Sequence, residues 1–424
     1  MRKQHLGNLA IAAVAALNII LWLIFPPPYD GRPLFLVGVF GEMLSSTALI
    51  LMSCAIFLAN RPRFVEPYFG GLDKMYQSHK TAALLAFFMI LIHWIIMPRG
   101  DLRIGTPIGI AAALGFVVLI LLTIAPTMPI LGSFVRFSYS RWRWTHKFIG
   151  LFLLLGIVHS YLVNTLIATT VVPLLYVRII SFAGAALYLY KELLAGHFHK
   201  HLPYVVDEVR KLNGTTLEVT LKPHDRKLDF NAGQFLFVHF SGDSKLAEPH
   251  PFTVSSAPME NNLRLSIKAS GDWTHYLNEH LKPGTPANID GSYGMFNYKT
   301  GRPRQIWIAG GIGVTPFLSW VRSFGGQPDA DVDFFYTTRS EGEALFLDEL
   351  QAASAQGRFR LHVLYSTHSG RLSAASVAKL SPGGVIGKSI YLCGPVAMTM
   401  ALSGQFRRLG VAAQDIHFEE FNFR

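Results

Sequence analysis

The sequence is poor in charge. Of its 424 residues only 15% are Asp, Glu, Lys or Arg, against about 25% in a soluble globular chain. Half are hydrophobic and the mean hydropathy is +0.32. That balance excludes a disordered chain and a wholly soluble one, and points to membrane spans joined to a soluble part. Cysteine is nearly absent: Cys54 and Cys393 lie in different halves, which excludes a disulfide scaffold. Acidic residues are scarce in the first half alone. Residues 1–201 hold 16 Lys and Arg against 6 Asp and Glu, and residues 202–424 hold 22 against 21. The excess positive charge lies between apolar runs rather than on a folded domain, so membrane topology accounts for it and nucleic-acid binding does not. There is no internal repeat, no low-complexity tract, no proline-rich tail and no calcium-loop pattern D-x-D-x-D-G.

What is present begins with six apolar runs, at 7–25, 34–59, 81–97, 105–125, 148–163 and 171–190. A spanning helix needs about 20 apolar residues, so the fifth run is expected to borrow residues from its flanks. The first run has no small-residue cleavage site before Pro26-Pro27-Pro28, and is read as a retained helix. The connecting segments alternate in charge. One set holds Arg2, Lys3, Arg61, Arg63, Lys74, Lys80, Arg136, Arg141, Arg143, Lys147 and Lys191; the other holds Arg32, Arg99 and Arg103. Eleven against three predicts that both termini, and the whole second half, are cytoplasmic in a cell (inner) membrane.

Four histidines stand inside this half. His79 and His93 are 14 apart along the third run and its flank, and His146 and His159 are 13 apart along the fifth and its flank. At 1.5 Å per residue each pair spans roughly 20 Å. His79 and His146 fall at the cytoplasmic ends, His93 and His159 near the outer ends. Two helices thus offer two histidines at each of two depths, an arrangement that fits two stacked b-type haems. A 13-residue gap is about 140° out of phase on a straight helix, so the fifth helix is expected to be distorted, with Gly150 and Gly156 as candidate points, or the two haems to be rotated against each other.

The second half alternates short apolar strands (204–206, 216–221, 235–240 and 263–269) with turn signals such as Asn213-Gly214 and Pro283-Gly284, which predicts a small antiparallel barrel. From about residue 305 the pattern becomes strand, turn and helix. Strands at 306–309, 333–337, 361–365 and 389–392 predict a doubly wound parallel sheet. The first is followed by Gly310-Gly311-Ile312-Gly313-Val314-Thr315-Pro316, a turn able to bring backbone N–H groups to a phosphate at a helix N-terminus. Alone that turn is weak. It becomes specific beside Ala232-Gly233-Gln234-Phe235, His250-Pro251-Phe252-Thr253-Val254-Ser255-Ser256, Lys268-Ala269-Ser270-Gly271-Asp272-Trp273-Thr274 and Cys393-Gly394-Pro395.

These segments, in this order, resemble the ferredoxin–NADP reductase superfamily. With the six runs and the paired histidines, residues 60–424 resemble the ferric reductase/NADPH oxidase superfamily, and within it the bacterial NADPH oxidases. The resemblance implies three domains: a six-helix transmembrane di-haem domain (1–200), an antiparallel β-barrel FAD domain (201–300) and a doubly wound α/β NADPH domain (301–424). It implies that His250, Pro251, Phe252 and Thr253, with Ser256, hold the flavin and its ribityl chain. Lys268, Ser270, Gly271 and Thr274 would meet the FAD pyrophosphate. Gly310, Gly311, Gly313, Thr315 and Pro316 would form the nucleotide phosphate turn. Cys393, Gly394 and Pro395 would lie beside the nicotinamide, and Phe421 would shield the flavin face. His79 and His146 would ligate the inner haem, His93 and His159 the outer.

The activity implied is electron transfer from NADPH through FAD and two haems to oxygen on the far side, yielding superoxide. The alternative is a ferric-chelate reductase with the same cofactors. A subunit serving another protein is disfavoured because the chain carries its own flavin and nucleotide domains. Within the chain, strand 333–337 ends in Thr338-Arg339 with no acidic residue at its tip, and Arg339 can pair with a 2′-phosphate, which favours NADPH; Glu341 and Glu343 nearby oppose this. Arg178, in the sixth run, is expected to anchor an outer-haem propionate; snorkelling and pairing with Glu42 are its alternatives. Glu42 should face the bundle interior. Phe87, Phe88 and Phe152 are read as core or lipid-facing aromatics, and His197, His199 and His201 as a solvated linker. With no calcium loop or regulatory extension, the enzyme is expected to need no partner protein.

Overall fold

The computed structural model describes residues 3–97, 105–125, 139–195, 201–324 and 330–419. The chain divides into two compact units, residues 1–199 and 200–424.

The first unit is helical. Its elements are α1 (Leu6–Ile24), α2 (Phe35–Ala59), α3 (Leu72–Ile96), α4 (Gly105–Ile124), α5 (Tyr139–Lys147), α6 (Ile149–Leu162) and α7 (Val171–Leu189), the last running on into a π-helical turn, Tyr190–Leu194. Six spans are long and apolar enough to cross a membrane, α5 and α6 together making the fifth and α7 with its π turn the sixth. The third helix starts at Leu72, nine residues before its apolar run. Hydropathy marks the part suited to lipid, whereas backbone hydrogen bonding continues through Asp73, Lys74 and Lys80. The fifth span is broken at Phe148. Phe148 N–H donates to Thr145 O (3.1 Å) and Leu151 N–H to Phe148 O (3.0 Å), both tighter than α-helical bonds. The distortion expected between His146 and His159 therefore lies at Phe148. Gly150 and Gly156 both sit inside the continuous helix α6.

Two polar groups explain how this apolar unit is pinned. Asn18 of α1, fully buried, donates to Ser46 Oγ and Thr47 Oγ1 of α2, each at 2.9 Å. Glu42 of α2 is 6% exposed. Its two oxygens accept the backbone N–H groups of Leu166 (2.8 Å) and Ile167 (3.0 Å), so the carboxylate caps the turn leading into α7. Glu42 is thus committed to the backbone and not to Arg178, whose guanidinium lies 4.4 Å from the centre of the Tyr161 ring.

The second unit opens with an antiparallel sheet: β1 (Leu202–Asn213), β2 (Thr216–Pro223), β3 (Phe235–Phe240), β4 (His250–Thr253), β5 (Leu263–Lys268) and β6 (Pro286–Tyr293), in the spatial order β4-β3-β6-β1-β2-β5. A bridge from Val254 to Leu265 brings its two edges together. Alternate residues Leu217, Val219 and Leu221 of β2 and Leu263, Leu265 and Ile267 of β5 point into the core, as a period of two requires. Helix α8 (Asp272–His280) lies between β5 and β6.

A parallel sheet follows, with β7 (Arg304–Gly310), β8 (Asp331–Thr338), β9 (Arg360–Tyr365), β10 (Ser389–Cys393) and β11 (Ile416–Phe418) in the order β11-β10-β7-β8-β9. Helices α9 (Thr315–Arg322), α10 (Leu347–Ala355), α11 (Ala374–Leu380) and α12 (Val396–Arg408) make its crossovers. β11 is too short to announce itself by periodicity; its register comes from pairing with β10.

The parallel sheet carries one buried charge cluster, toward the strand N-termini. Asp333, with 0% exposure, meets Arg360 Nε at 2.6 Å and Lys388 Nζ at 2.9 Å. Burial alone would raise the Asp333 pKa, but hydrogen bonds from Arg360 and Lys388, with the His362 ring 4.0 Å away, hold the carboxyl well below the ordinary range. Asp333→Asn leaves Lys388 buried without its counter-charge and is expected to cost about 3–5 kcal/mol. Because the folded pKa is depressed, the stabilisation is complete above the unfolded value near 4 and is lost as pH falls below it. Unfolding of the detergent-solubilised chain at pH 7 and at about pH 3.5 checks both statements: the gap between parent and variant should narrow in acid.

Candidate functional site

In the helical unit the four histidines share one feature. The Nδ1 of His79 bonds Ala55 O at 2.8 Å, that of His93 bonds Gly41 O at 2.9 Å, and that of His159 bonds Gly105 O at 2.7 Å. A carbonyl only accepts, so Nδ1 carries the proton and Nε2 keeps its lone pair. His146 Nδ1 lies 3.4 Å from Thr123 Oγ1, whose own proton goes to Leu119 O at 2.8 Å, so here too the imidazole is the donor. Trp142, one turn before His146, stacks on its ring at 5.1 Å and bonds the same hydroxyl. Engaging one ring nitrogen with a neighbouring oxygen is how proteins fix the tautomer and direction of a metal-ligating histidine.

The spacing fits as well. The rings of His79 and His146 are 6.1 Å apart, centre to centre. A metal–imidazole bond is about 2 Å, so two imidazoles on opposite sides of one metal have centres roughly 6 Å apart. His93 and His159 lie within electrostatic reach of each other at the other level. Gly109 of α4 makes room for the second of these: a Cβ there would lie 2.5 Å from His159 Cε1 and Nδ1. Among the described residues no group of three or more His, Cys, Asp or Glu could hold a metal. The pairs therefore suit an ion whose other ligands come from a macrocycle. Phe87 is buried among the helices, Phe152 packs against the same core, and Phe88 is exposed.

In the antiparallel domain His250, Pro251, Phe252 and Thr253 form β4, an edge strand, with the first three partly exposed. Trp273 stacks on His250 at 4.1 Å and packs face-on to Phe252 at 5.9 Å, which ties this strand to the start of α8. There the Thr274 hydroxyl accepts the N–H groups of Ser270 and Gly271, each at 2.9 Å, and Gly271 caps the helix. The exposed first turn of α8 is a place for an anion. Lys268 ends β5 beside it. Ser256 is fully buried, its hydroxyl accepting the N–H of Arg264 at 3.1 Å.

In the parallel sheet the chain runs from β7 outward through β8 and β9, then returns to the other side of β7 as β10. The order therefore reverses between β7 and β10, and ligands bind outside the carboxyl ends of strands at such a point. Both sequence motifs lie there. Gly310 ends β7, Gly311 adopts φ +55°, and the turn enters α9 at Thr315-Pro316. Cys393 ends β10 and leads into Gly394-Pro395. The two turns touch: a Cβ on Gly313 would lie 2.5 Å from Cys393 C and 2.7 Å from Gly394 N, and one on Gly310 would lie 3.0 Å from Pro395 Cδ. Burial, with the Glu419 carboxylate nearby, pushes the Cys393 thiol well above its ordinary pKa. It is a neutral packing group at physiological pH and not a nucleophile. Arg339 is exposed at the carboxyl end of β8, next to β7, with Glu341–Glu343 in the following turn. Phe421 lies outside the described residues, as do His197 and His199. His201 packs edge-on to His239 at 5.2 Å.

Comparison with known families places these parts. Residues 44–157 match the ferric reductase like transmembrane component, residues 202–303 an FAD-binding domain, and residues 307–403 an oxidoreductase NAD-binding domain. The chain joins a ferric reductase-like membrane component to FAD- and NAD-binding domains. Its relatives include the carnitine monooxygenase reductase subunit of Escherichia coli (strain K12), 29% identical over 51% of this chain and 67% of that one. Flavohemoprotein A of Dictyostelium discoideum is 22% identical over 56% of this chain and 65% of that one. NADPH oxidase 3 of Rattus norvegicus is 34% identical over 31% of this chain and 25% of that one. The chain thus spans about two thirds or less of these relatives' length. Among solved structures, the flavohem-like FAD/NAD-binding domain of nitric oxide dioxygenase from Vibrio cholerae matches 52% of this chain and 98% of that one, at 25% identity and a TM-score of 0.45.

Several residues that hold the histidines are not legible in the sequence. Thr123 and Trp142 hold His146, yet Thr123 sits on another helix and nothing in the residue type of Trp142 announces the contact. The carbonyls of Gly41, Ala55 and Gly105 hold the other three histidines, and a backbone acceptor leaves no trace in residue type.

Proposed function

We propose that the chain is a transmembrane NADPH oxidase, taking electrons from cytoplasmic NADPH and delivering them singly to oxygen across the membrane as superoxide. The observation that carries this reading is the set of four intramembrane histidines, each with Nδ1 engaged and Nε2 left for a metal. His79 with His146 and His93 with His159 would each hold one b-type haem. His250–Thr253 and the first turn of α8 would hold FAD, and the crevice between Gly310–Pro316 and Cys393–Pro395 the nucleotide. When bound, FAD accepts the two electrons of a hydride and releases them one by one, and haem carries single electrons. The residues would contribute placement: the two imidazoles at each level would hold one haem between them, and the haem would supply one-electron transfer to the acceptor. The positive charge of the connecting segments supports a cytoplasmic position for both termini.

The match to NADPH oxidase 3 supports oxygen as acceptor. The match of residues 44–157 to the ferric reductase component supports a ferric chelate as the second reading. Purified chain with FAD and NADPH distinguishes them. Cytochrome c reduction abolished by superoxide dismutase is expected. Turnover confined to anaerobic ferric chelate would select the second reading.

Two residue roles within this reading are open to direct test. Arg339 pairs with the 2′-phosphate of NADPH. Arg339→Ala should lower kcat/KM for NADPH roughly tenfold, about 1.4 kcal/mol, and leave NADH unchanged. Arg178 anchors a propionate of the outer haem while stacked on Tyr161, two residues from His159. Arg178→Leu should shift the potential or occupancy of that haem and spare the inner one; redox titration of the haem absorbance reads both.

A further inference from the structure

Helix α9 begins at the nucleotide turn, and three of its side chains reach into the flavin-binding domain. Ser319 Oγ donates to Ser256 O at 2.7 Å. Trp320 Nε1 donates to Ala232 O at 3.0 Å. Arg322 Nη1 donates to Ser255 O at 2.9 Å. Every donor is on one helix, and every acceptor is a backbone carbonyl of one of two flavin-domain segments, Ala232–Phe235 or His250–Ser256. The contacts are built, not incidental. Ser319 and Trp320 have 0% exposure. Gly233 (φ +93°) carries no side chain where a Cβ would lie 3.1 Å from Trp320 Cε2. Arg322 is held by a bidentate pair with Glu349 of α10 at 2.7 and 2.8 Å, and Glu218 of β2 lies 3.7 Å away. Phe296 stacks on Trp320 at 4.8 Å.

We propose that Ser319, Trp320 and Arg322 are positioning residues for hydride transfer. Together they make α9 a rigid spacer between the nucleotide phosphate turn at its N-terminus and the strand carrying the flavin. The inference rests on the reading that His250–Thr253 hold FAD and Gly310–Pro316 hold the nucleotide. The physical argument is one of distance and direction. Hydride transfer needs donor and acceptor carbons in near-contact, and a misplacement of about 1 Å can cost on the order of 100-fold in rate. Two domains joined only by apolar contacts can slide; three directed hydrogen bonds to backbone cannot lengthen without leaving buried carbonyls unpaired. As positioning residues the three side chains would act through the backbone carbonyls they bond. Their effect should fall on the rate of flavin reduction and not on the affinity for either ligand.

The test uses the full-length purified chain loaded with FAD. Ser319→Ala and Trp320→Phe each remove one donor and keep the packing, and Arg322→Lys keeps the charge but loses the fork. Anaerobic stopped-flow mixing with NADPH reads the flavin reduction rate, its dependence on NADPH concentration, and the long-wavelength nicotinamide–flavin charge-transfer band. The expected result is a reduction rate down roughly tenfold in each variant, a weakened charge-transfer band, and FAD content and NADPH half-saturation within twofold of the parent. Variants that hold FAD and reduce it at the parental rate with an undiminished band would overturn the proposal. So would a loss of rate that tracks loss of bound FAD, since that is a folding role. A parent chain that binds no FAD, or whose FAD is not reduced by NADPH, would instead remove the underlying reading.

Discussion

His79→Ala and His146→Ala are each expected to remove one of two haems and to stop electrons from reaching any acceptor beyond the membrane. Both rings sit at one level, 6.1 Å apart, and each has a donor already committed, to Ala55 O or to Thr123 Oγ1. Mutation of a residue that merely supports a ligand costs 10- to 100-fold, so loss of the ligand itself should cost roughly 100-fold or more in transmembrane turnover. NADPH should still reduce the flavin, because the nucleotide crevice belongs to the other unit. Pyridine haemochrome assay gives the haem count and stopped-flow gives the flavin rate. Full haem content in either variant would contradict the assignment. His93→Ala and His159→Ala should give the same haem count with the other haem lost.

Gly313→Val should produce the opposite pattern. The two turns at the switch point interlock so closely that a Cβ at 313 would lie 2.5 Å from Cys393 C. That contact is with backbone, which cannot swing away like a flexible side chain, so one or both turns must move. Overpacking of this kind typically costs 1–3 kcal/mol of stability. Displacing the phosphate turn should lower NADPH-dependent flavin reduction on the order of 100-fold. Haem content and reduction by dithionite should stay at the parental level. A variant that retains near-parental NADPH turnover would show that the nucleotide does not sit between Gly310–Pro316 and Cys393–Pro395.

The two predictions also mark what the sequence made legible. The two glycine turns, 310–316 and 393–395, were readable as turns because glycine tolerates tight backbone geometry; that they touch each other, at 313 and 393–394, was not. The histidine pairs were readable because an ionisable group among apolar residues is costly and therefore conspicuous. The tautomer of each histidine was not, since it depends on carbonyls of Gly41, Ala55 and Gly105 brought in from other helices. Phe148 was not legible as the break in the fifth span either. Nothing local in Lys147-Phe148-Ile149 disfavours a helix, and glycine was the natural suspect. Glu42 had no role in the sequence because its partners are two backbone N–H groups more than 120 positions away. β11 and the short strand β4 fell below the length at which alternation is measurable, and took their register from their neighbours.

Vectorial electron transfer in sealed liposomes tests the central claim most directly. The chain is reconstituted, ferricyanide or cytochrome c is trapped inside, and NADPH with FAD is added only outside. The account predicts that the trapped acceptor is reduced without permeabilising the vesicles, and that His79→Ala and His93→Ala each abolish this reduction. A trapped acceptor that stays oxidised while NADPH is consumed outside would contradict it.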